Sequence, residues 1–202
     1  MMKLLNLKAI PVAQERNFYS INKKELDVIR KIKYRKSRKG FYLSETVTLL
    51  EEKDFSALKK VIVEKAKEYA LDILGIKDKI YLTQSWSTIN TTDAFHKTHT
   101  HPNTFISLVY YAQCKNACLF FDLTTSSIRE CFNFSYTIKK YNIYNSESWQ
   151  LPVRTGDIVL FPGHIRHGSV VNESKTPRII IGANFFLKGK LGSQKEVSNI
   201  VL

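Results

Sequence analysis

All five histidines of the chain lie in two short segments, and their spacing is typical of a metal site. The first segment, residues 96–101, reads His-Lys-Thr-His-Thr-His, and the second, residues 164–167, reads His-Ile-Arg-His. Side chains two positions apart on an extended chain point to the same side, so His99 and His101 can reach one ion. Imidazole nitrogens suit iron, copper, zinc or nickel. The pattern therefore predicts a mononuclear metal centre.

His167 is the favoured third ligand of this centre. It follows residues 161–163, Phe-Pro-Gly, which read as a strand end and a turn, and it precedes a new apolar segment. The chain can fold back there against the first histidine pair. His164 is expected at the rim, and His96 would need a turn to join His99, so it is expected beside the ligand set.

A basic residue follows His167 after eleven positions. Arg178 opens the apolar run Ile179-Ile180-Ile181, and a charge that begins a buried strand needs a partner. Arginine binds carboxylates through two parallel hydrogen bonds, and three neutral imidazoles leave a divalent ion with its full charge. We therefore expect Arg178 to anchor the far carboxylate of an acidic, chelating co-substrate. An ordinary edge arginine is the alternative.

Two amphipathic helices are predicted before the histidine segments. Residues 22–25 resemble a capping box, which begins a helix over residues 23–33. A longer helix is capped by Asp54 or Ser56 and ends at Gly75 in the left-handed conformation. The second helix has a mostly apolar stripe that predicts packing on a sheet. The stripe consists of Leu58, Val61, Ile62, Lys65, Ala66, Tyr69, Ala70 and Ile73.

From about residue 79 the apolar pattern changes to short, strand-like segments separated by turn signals. The predicted strands are residues 79–86, 104–113, 118–122, 157–161, 169–171 and 178–186. Many short strands without alternating helices predict an antiparallel barrel or sandwich. Residues 35–48 are expected to form a basic loop and an irregular or extended segment. Residues 124–150 are expected to be a long insertion, a candidate lid or substrate loop.

Length and composition favour one globular domain. The chain has 202 residues, of which 44% are hydrophobic. We expect an N-terminal helical part over residues 1–78, a barrel core over residues 79–190 and a tail over residues 191–202. No apolar stretch reaches the roughly 20 residues that span a bilayer, and the N-terminus does not resemble a signal peptide. A cytoplasmic protein without a membrane partner is therefore expected, and a homodimer is considered.

The net charge of +13 raises the question of a polyanionic partner. Much of the positive charge lies in residues 23–39, where a nucleic acid or another polyanion could bind. A solvated, lysine-rich surface is the interpretation we favour, because no nucleic-acid motif is present. Cys114, Cys118 and Cys131 are an odd set without a disulfide framework, and we expect thiols with no metal role.

Together these motifs resemble a known family, the 2-oxoglutarate- and Fe(II)-dependent oxygenases found in marine bacteria and cyanophages. The resemblance covers roughly residues 85–186. Its pieces are Ser85-Trp86, His96-x-x-His99-x-His101-Pro102, Ser107-Leu108-Val109-Tyr110-Tyr111, Gly156-Asp157-Ile158-Val159-Leu160-Phe161-Pro162-Gly163-x-x-x-His167-Gly168 and Arg178-Ile179-x-Ile181-x-x-Asn184.

The resemblance implies a mostly β protein with N-terminal helices and a double-stranded β-helix, that is, a jelly-roll or cupin-like core. It implies that His99, His101 and His167 hold Fe(II). It also implies that Arg178, helped by Tyr111, binds 2-oxoglutarate.

The activity implied is that of a dioxygenase. O₂ and 2-oxoglutarate are consumed, succinate and CO₂ are released, and a substrate is hydroxylated. The substrate, a small molecule or a protein, is not indicated by the sequence.

Two positions depart from the family pattern. Most members have H-x-D or H-x-E where this chain has His99-x-His101, and a hydroxyl residue often stands where Ile180 lies. Two alternatives stay open. One is a three-histidine, cupin-type metal dioxygenase that does not use 2-oxoglutarate. The other is a non-catalytic, polyanion-binding protein on the same fold.

Overall fold

The computed structural model describes residues 9–37, 40–124 and 135–202 of the chain. These residues form mainly β-strands, numbered β1 to β12 in chain order. The strands are Ala13–Glu15, Tyr34–Lys36, Phe41–Ser44, Lys79–Asn90, Ile106–Gln113, Ala117–Asp122, Ser148–Val153, Ile158–Pro162, His167–Ser169, Arg178–Lys188, Lys190–Leu191 and Ile200–Val201.

Two antiparallel sheets make up the core. The larger has seven strands in the order β1-β8-β5-β10-β4-β3-β2, and the smaller has the order β7-β6-β9. A bridge between His99 and His167 adds the histidine segment to the free edge of β9. Four strands of the larger sheet (β8, β5, β10 and β4) thus face four extended segments. This is the double-stranded β-helix, or jelly roll, so the predicted fold class is confirmed.

The larger sheet has two different faces because strand residues alternate in direction. On β10, Ile179, Ile181 and Ala183 belong to a core that is shared with the helices. Arg178 and Ile180, on the opposite face, line a pocket between the two sheets. The functional side chains are therefore carried on the inner face of a strand whose outer face is held by the main hydrophobic core.

Two α-helices cover the outer face. The first, α1, spans Lys23–Lys31 and has the predicted capping box. The Glu25 backbone N–H donates to the Asn22 side chain, and the Asn22 backbone N–H donates to the Glu25 carboxylate. The second, α2, spans Ser56–Glu68. Most of its stripe is buried, and Gly75 has the predicted left-handed conformation, with φ of 69°.

The predicted cap of α2 and the end of its stripe are wrong. Neither Asp54 nor Ser56 caps the helix, because a 3-10 turn at Lys53–Phe55 leads directly into it. The helix continues as a wider π-turn at Tyr69–Ile73, which changes the period of the side chains. As a result Ile73 is 51% exposed, although the α-helical spacing predicts burial.

Several short strands are missing from the sequence prediction. β1, β2 and β3 extend the edges of the larger sheet, so the N-terminal part is not only helical. β7 lies at the end of the expected insertion over residues 124–150, and β11 and β12 form a hairpin in the tail. The predicted strand over residues 169–171 is shifted, because β9 begins at His167. Among the helices in the described parts of the chain, none has the length and apolar content for crossing a bilayer.

Candidate metal centre

Three histidine side chains converge between the two sheets. One ring nitrogen each of His99, His101 and His167 lies within 4.8 Å of the others. The Nε2 atoms of His99 and His101 are 3.0 Å apart. The three residues that the sequence pattern singles out are therefore brought together by the fold.

The backbone brings the two histidine segments into contact. His99 and His167 exchange two backbone hydrogen bonds of 2.9 Å, and the His101 N–H donates to the carbonyl of Gly163. This close approach depends on Gly168, where a Cβ atom would lie 2.6 Å from the carbonyl oxygen of His96. The segment around His99 and His101 is not a regular strand, which corrects the expectation of strand geometry, yet both rings reach the same point.

Each of the three rings has its Nδ1 atom next to an oxygen acceptor. Nδ1 of His99 lies 2.9 Å from the Lys97 carbonyl oxygen, and Nδ1 of His167 lies 2.9 Å from the Ile165 carbonyl oxygen. For His101 the acceptor is Oδ1 of Asn184, at 2.8 Å. Since an Nδ1–H donates to each of these oxygens, the Nε2 lone pairs face the common point.

Burial keeps the imidazoles of His101 and His167 neutral. Loss of hydration lowers the pKa of His101 to about 4, although the hydrogen bond to Asn184 opposes the shift. Burial likewise lowers the pKa of His167 to about 3. Both rings are therefore unprotonated at neutral pH, as metal ligands must be.

The donor set fits a divalent metal ion. Two Nε2 lone pairs that face each other at 3.0 Å repel unless a cation or a proton lies between them. Two nitrogens bound at about 2.1 Å and at right angles to one ion stand about 3 Å apart. The geometry of His99 and His101 matches this spacing, and three imidazoles suit iron, copper, zinc or nickel.

The two remaining histidines lie outside the set. His96 stacks on the His99 ring at 4.5 Å between centroids, and Phe41 covers its other side at 4.4 Å. The backbone N–H of His96 donates to the Ser169 hydroxyl, which ties this segment to β9. His164 is exposed.

Arg178 lies in the same pocket as the three ligands and is only 3% exposed. Its Nη2 group donates to the Ser169 hydroxyl and to the Val170 carbonyl, each at 2.8 Å. Among the described residues no acidic side chain pairs with it. Burial lowers the pKa of Arg178, whereas Tyr111 acts in the opposite direction. A buried cation without a counter-charge marks an anion-binding position.

The pocket wall between the ligands and Arg178 combines one phenol with apolar side chains. Tyr111 is 3% exposed and lies on the pocket face of β5, whereas Tyr110 faces the helices. Burial raises the pKa of Tyr111, so its hydroxyl stays protonated. Trp86 packs over Gly182, where a Cβ atom would lie 2.5 Å from the indole ring. Ile180 also faces the pocket, so this position of β10 brings no hydroxyl.

Sequence reasoning assigned no role to four polar residues of this site, although Ser107 and Asn184 belong to the family motif. Thr88 and Asn90 line the pocket, and Ser107 and Asn184 contact Nδ1 of His101. The strand period of two would have marked Thr88 and Asn90, because Trp86 faces the pocket on the same strand. The three-histidine cluster contains neither of the two described cysteines, Cys114 and Cys118. Cys114 is half-buried, with a pKa raised to about 11 by burial, Cys118 is a free thiol, and Cys131 lies outside the described residues.

A family model matches residues 84–184 of the chain, with the description "Putative 2OG-Fe(II) oxygenase". The chain belongs to this family. As a 2OG-Fe(II) oxygenase it is an oxidoreductase that uses Fe(II), 2-oxoglutarate and O₂. No curated protein matches the sequence.

Solved structures of low sequence identity share the fold of this oxygenase. The α-ketoglutarate-dependent epimerase SnoN from nogalamycin biosynthesis has 13% identity and a TM-score of 0.63, covering 89% of this chain and 79% of its own. HygX from Streptomyces hygroscopicus, with nickel, 2-oxoglutarate and hygromycin B bound, has 9% identity, a TM-score of 0.60 and coverage of 87% and 82%. A prolyl hydroxylase from Trichoplax adhaerens, in complex with a hypoxia inducible factor peptide, has 12% identity, a TM-score of 0.58 and coverage of 87% and 83%.

Proposed function

We propose that this protein is a dioxygenase that hydroxylates a C–H bond of its substrate while 2-oxoglutarate and O₂ are converted to succinate and CO₂. The observation that carries the proposal is the pairing of two features in one pocket. One ring nitrogen of each of the three histidines converges at one end, and at the other end the buried Arg178 has no carboxylate partner among the described residues. A five-carbon 2-oxo diacid has a chelating group for the first end and a carboxylate for the second.

His99, His101 and His167 would hold the iron in this proposal. Fe(II), when bound, supplies the redox chemistry that O₂ activation needs. Because all three ligands are neutral, the ion keeps its full double charge, which a dianionic co-substrate neutralises. The hydrogen bond from His101 to Asn184 holds the ring orientation at the position where the commoner pattern has a carboxylate.

Arg178 and Tyr111 would bind the far carboxylate of 2-oxoglutarate. The Arg178 guanidinium is held by Ser169 and the Val170 carbonyl through one nitrogen, which leaves its other N–H groups for the ligand. Tyr111 keeps its proton and can donate as well. Trp86 and other apolar side chains of the wall limit the access of water to the reacting groups.

The alternative of a three-histidine dioxygenase without 2-oxoglutarate accounts for the metal end only. It leaves the buried charge of Arg178 without a counter-charge, and for that reason we do not favour it.

Polyanion binding by residues 23–39 stays a prediction. The described basic side chains of this stretch are exposed, which suits the solvated surface that we favour, and Arg38 and Lys39 lie outside the described residues. A homodimer and a cytoplasmic location also stay predictions.

The test is turnover of 2-oxoglutarate by the purified, iron-loaded protein. We expect succinate to form in an O₂- and Fe(II)-dependent reaction, slowly without the primary substrate. Variants His167→Ala and Arg178→Met should both lose this reaction, whereas His164→Ala, which alters an exposed histidine, should retain it. A protein that binds iron but neither binds nor consumes 2-oxoglutarate would contradict the proposal.

A further inference from the structure

Two buried polar groups in the pocket have no partner among the described residues. In the described parts of the chain, Oγ1 of Thr88 and Nδ2 of Asn90 are the buried side-chain atoms that form no hydrogen bond. The two residues are 1% and 3% exposed. A buried donor without an acceptor destabilises a fold, so such groups point to a ligand that satisfies them.

Both residues are neighbours of Arg178 on the inner face of the larger sheet. In the pairing of β4 with β10, Asn90 stands directly opposite Arg178, and Thr88 stands directly opposite Ile180. Side chains of directly opposed residues lie on the same face of the sheet, and all four residues line the pocket. Thr88 and Asn90 therefore stand side by side on β4, next to the cation on β10.

Three side chains at this end of the pocket can donate hydrogen bonds to a ligand. Arg178 offers N–H groups, Thr88 offers a hydroxyl and Asn90 offers an amide N–H. Ile180, the residue of β10 between Arg178 and Gly182 on this face, offers none. A carboxylate accepts hydrogen bonds at about four lone-pair positions, so it matches a group of three converging donors.

We propose that Thr88 and Asn90 donate hydrogen bonds to the same carboxylate that Arg178 binds, and that the three residues together select a 2-oxo diacid over a 2-oxo monoacid. The inference rests on the proposed function, because it assigns these donors to the far carboxylate of the co-substrate. It places the specificity for the diacid on β4 as well as on β10.

The experiment measures co-substrate affinity rather than turnover. Calorimetric titrations of the Mn(II)-loaded full-length protein compare 2-oxoglutarate with 2-oxopentanoate, which has the same chain length and chelating group but no far carboxylate. Thr88→Val removes only the hydroxyl and keeps the shape of the side chain. Asn90→Leu removes the amide, and Thr91→Val is the matched control on the exposed residue that follows β4.

We expect Thr88→Val to raise the Kd of 2-oxoglutarate about tenfold or more, the usual effect of one hydrogen bond to a charged group. Asn90→Leu should act in the same direction. The Kd of 2-oxopentanoate should change less than about twofold in both variants, so the preference for the diacid falls. Thr91→Val should leave both constants unchanged, and Thr88→Ser, which keeps the hydroxyl, should retain the preference.

The melting temperature of the metal-free protein gives a second readout. Because the Thr88 hydroxyl has no protein partner, Thr88→Val should leave this temperature unchanged or raise it. An unchanged Kd of 2-oxoglutarate in Thr88→Val and Asn90→Leu, with a raised Kd in Arg178→Met, would overturn the inference and leave the proposed function standing. Failure of the unaltered Mn(II)-loaded protein to bind 2-oxoglutarate would overturn both.

Discussion

The two ends of the pocket have opposite electrostatic character. At the histidine end three lone pairs converge, and each ring is fixed by an oxygen acceptor at Nδ1. At the Arg178 end lie a buried positive charge and two buried polar side chains whose Oγ1 and Nδ2 atoms form no hydrogen bond among the described residues. The first arrangement requires a cation and the second an anion. The difference shows that the chain is built for two ligands of opposite charge, held next to each other.

The largest predicted effect is the loss of metal affinity at the histidine end. His99→Ala or His167→Ala removes one of three ligands. Loss of a residue that only hydrogen-bonds to a metal ligand already weakens metal binding about 10- to 100-fold. Loss of a ligand itself should therefore raise the Kd of the metal more than about 100-fold. Titration of Mn(II) into the metal-free protein measures the effect, with His164→Ala as the control. Retention of metal affinity in both ligand variants would show that the ion is held elsewhere.

The second prediction concerns the Arg178 end. Removal of one partner of a buried charge pair costs about 2–5 kcal/mol, so Arg178→Met should raise the Kd of 2-oxoglutarate about 30-fold or more. Metal affinity should stay within a few-fold, because the guanidinium contacts none of the three ligands. Calorimetry on the same preparation measures both constants. Equal losses of metal affinity and of 2-oxoglutarate affinity in Arg178→Met would show that the two sites do not act independently.

The third prediction concerns the oxygen acceptor that orients the His101 ring. Asn184→Leu removes the acceptor at Nδ1 of His101 and should weaken metal binding about 10- to 100-fold. Asn184→Asp supplies an equally placed acceptor and should retain the affinity. The melting temperature of each metal-free variant shows whether the fold is kept. If both variants behave alike, the orientation of His101 does not depend on this hydrogen bond.

The smallest predicted effect is the pH dependence of stability. Burial lowers the pKa of His96 to about 4, below the value of 6.5 in the unfolded chain. As the pH falls from 6.5 to about 4, the unfolded chain therefore binds a proton that the folded chain does not, and the stability of the metal-free protein decreases. His96→Phe should reduce the slope by up to about 1.4 kcal/mol per pH unit, the value for one proton. Denaturant unfolding at pH 7, 6 and 5 measures the slope, and an unchanged slope would contradict the lowered pKa.

Much of the fold and of the site could be predicted from local patterns. The capping box of α1, the apolar face of α2 and the apolar runs of β5 and β10 are local properties, so their positions follow from the sequence. The short strands β1, β2 and β7 could not be predicted in this way. They exist because a partner strand supplies hydrogen bonds, and a segment of three to six residues carries too little periodicity to reveal that partner.

The sequence by itself determined which residue types are available for chemistry: two histidine segments, an arginine that begins an apolar strand, and a family motif that joins them. Only the tertiary structure decided which of these side chains meet. His99 and His167 are 68 positions apart, and they are brought together by a backbone bridge that depends on Gly168. The strand period can assign Thr88 and Asn90 to the face of Trp86, but it gives them no role, because a polar residue on a strand is ordinary until its neighbours are known. They acquire a role when β4 pairs with β10 and leaves their donors buried beside Arg178.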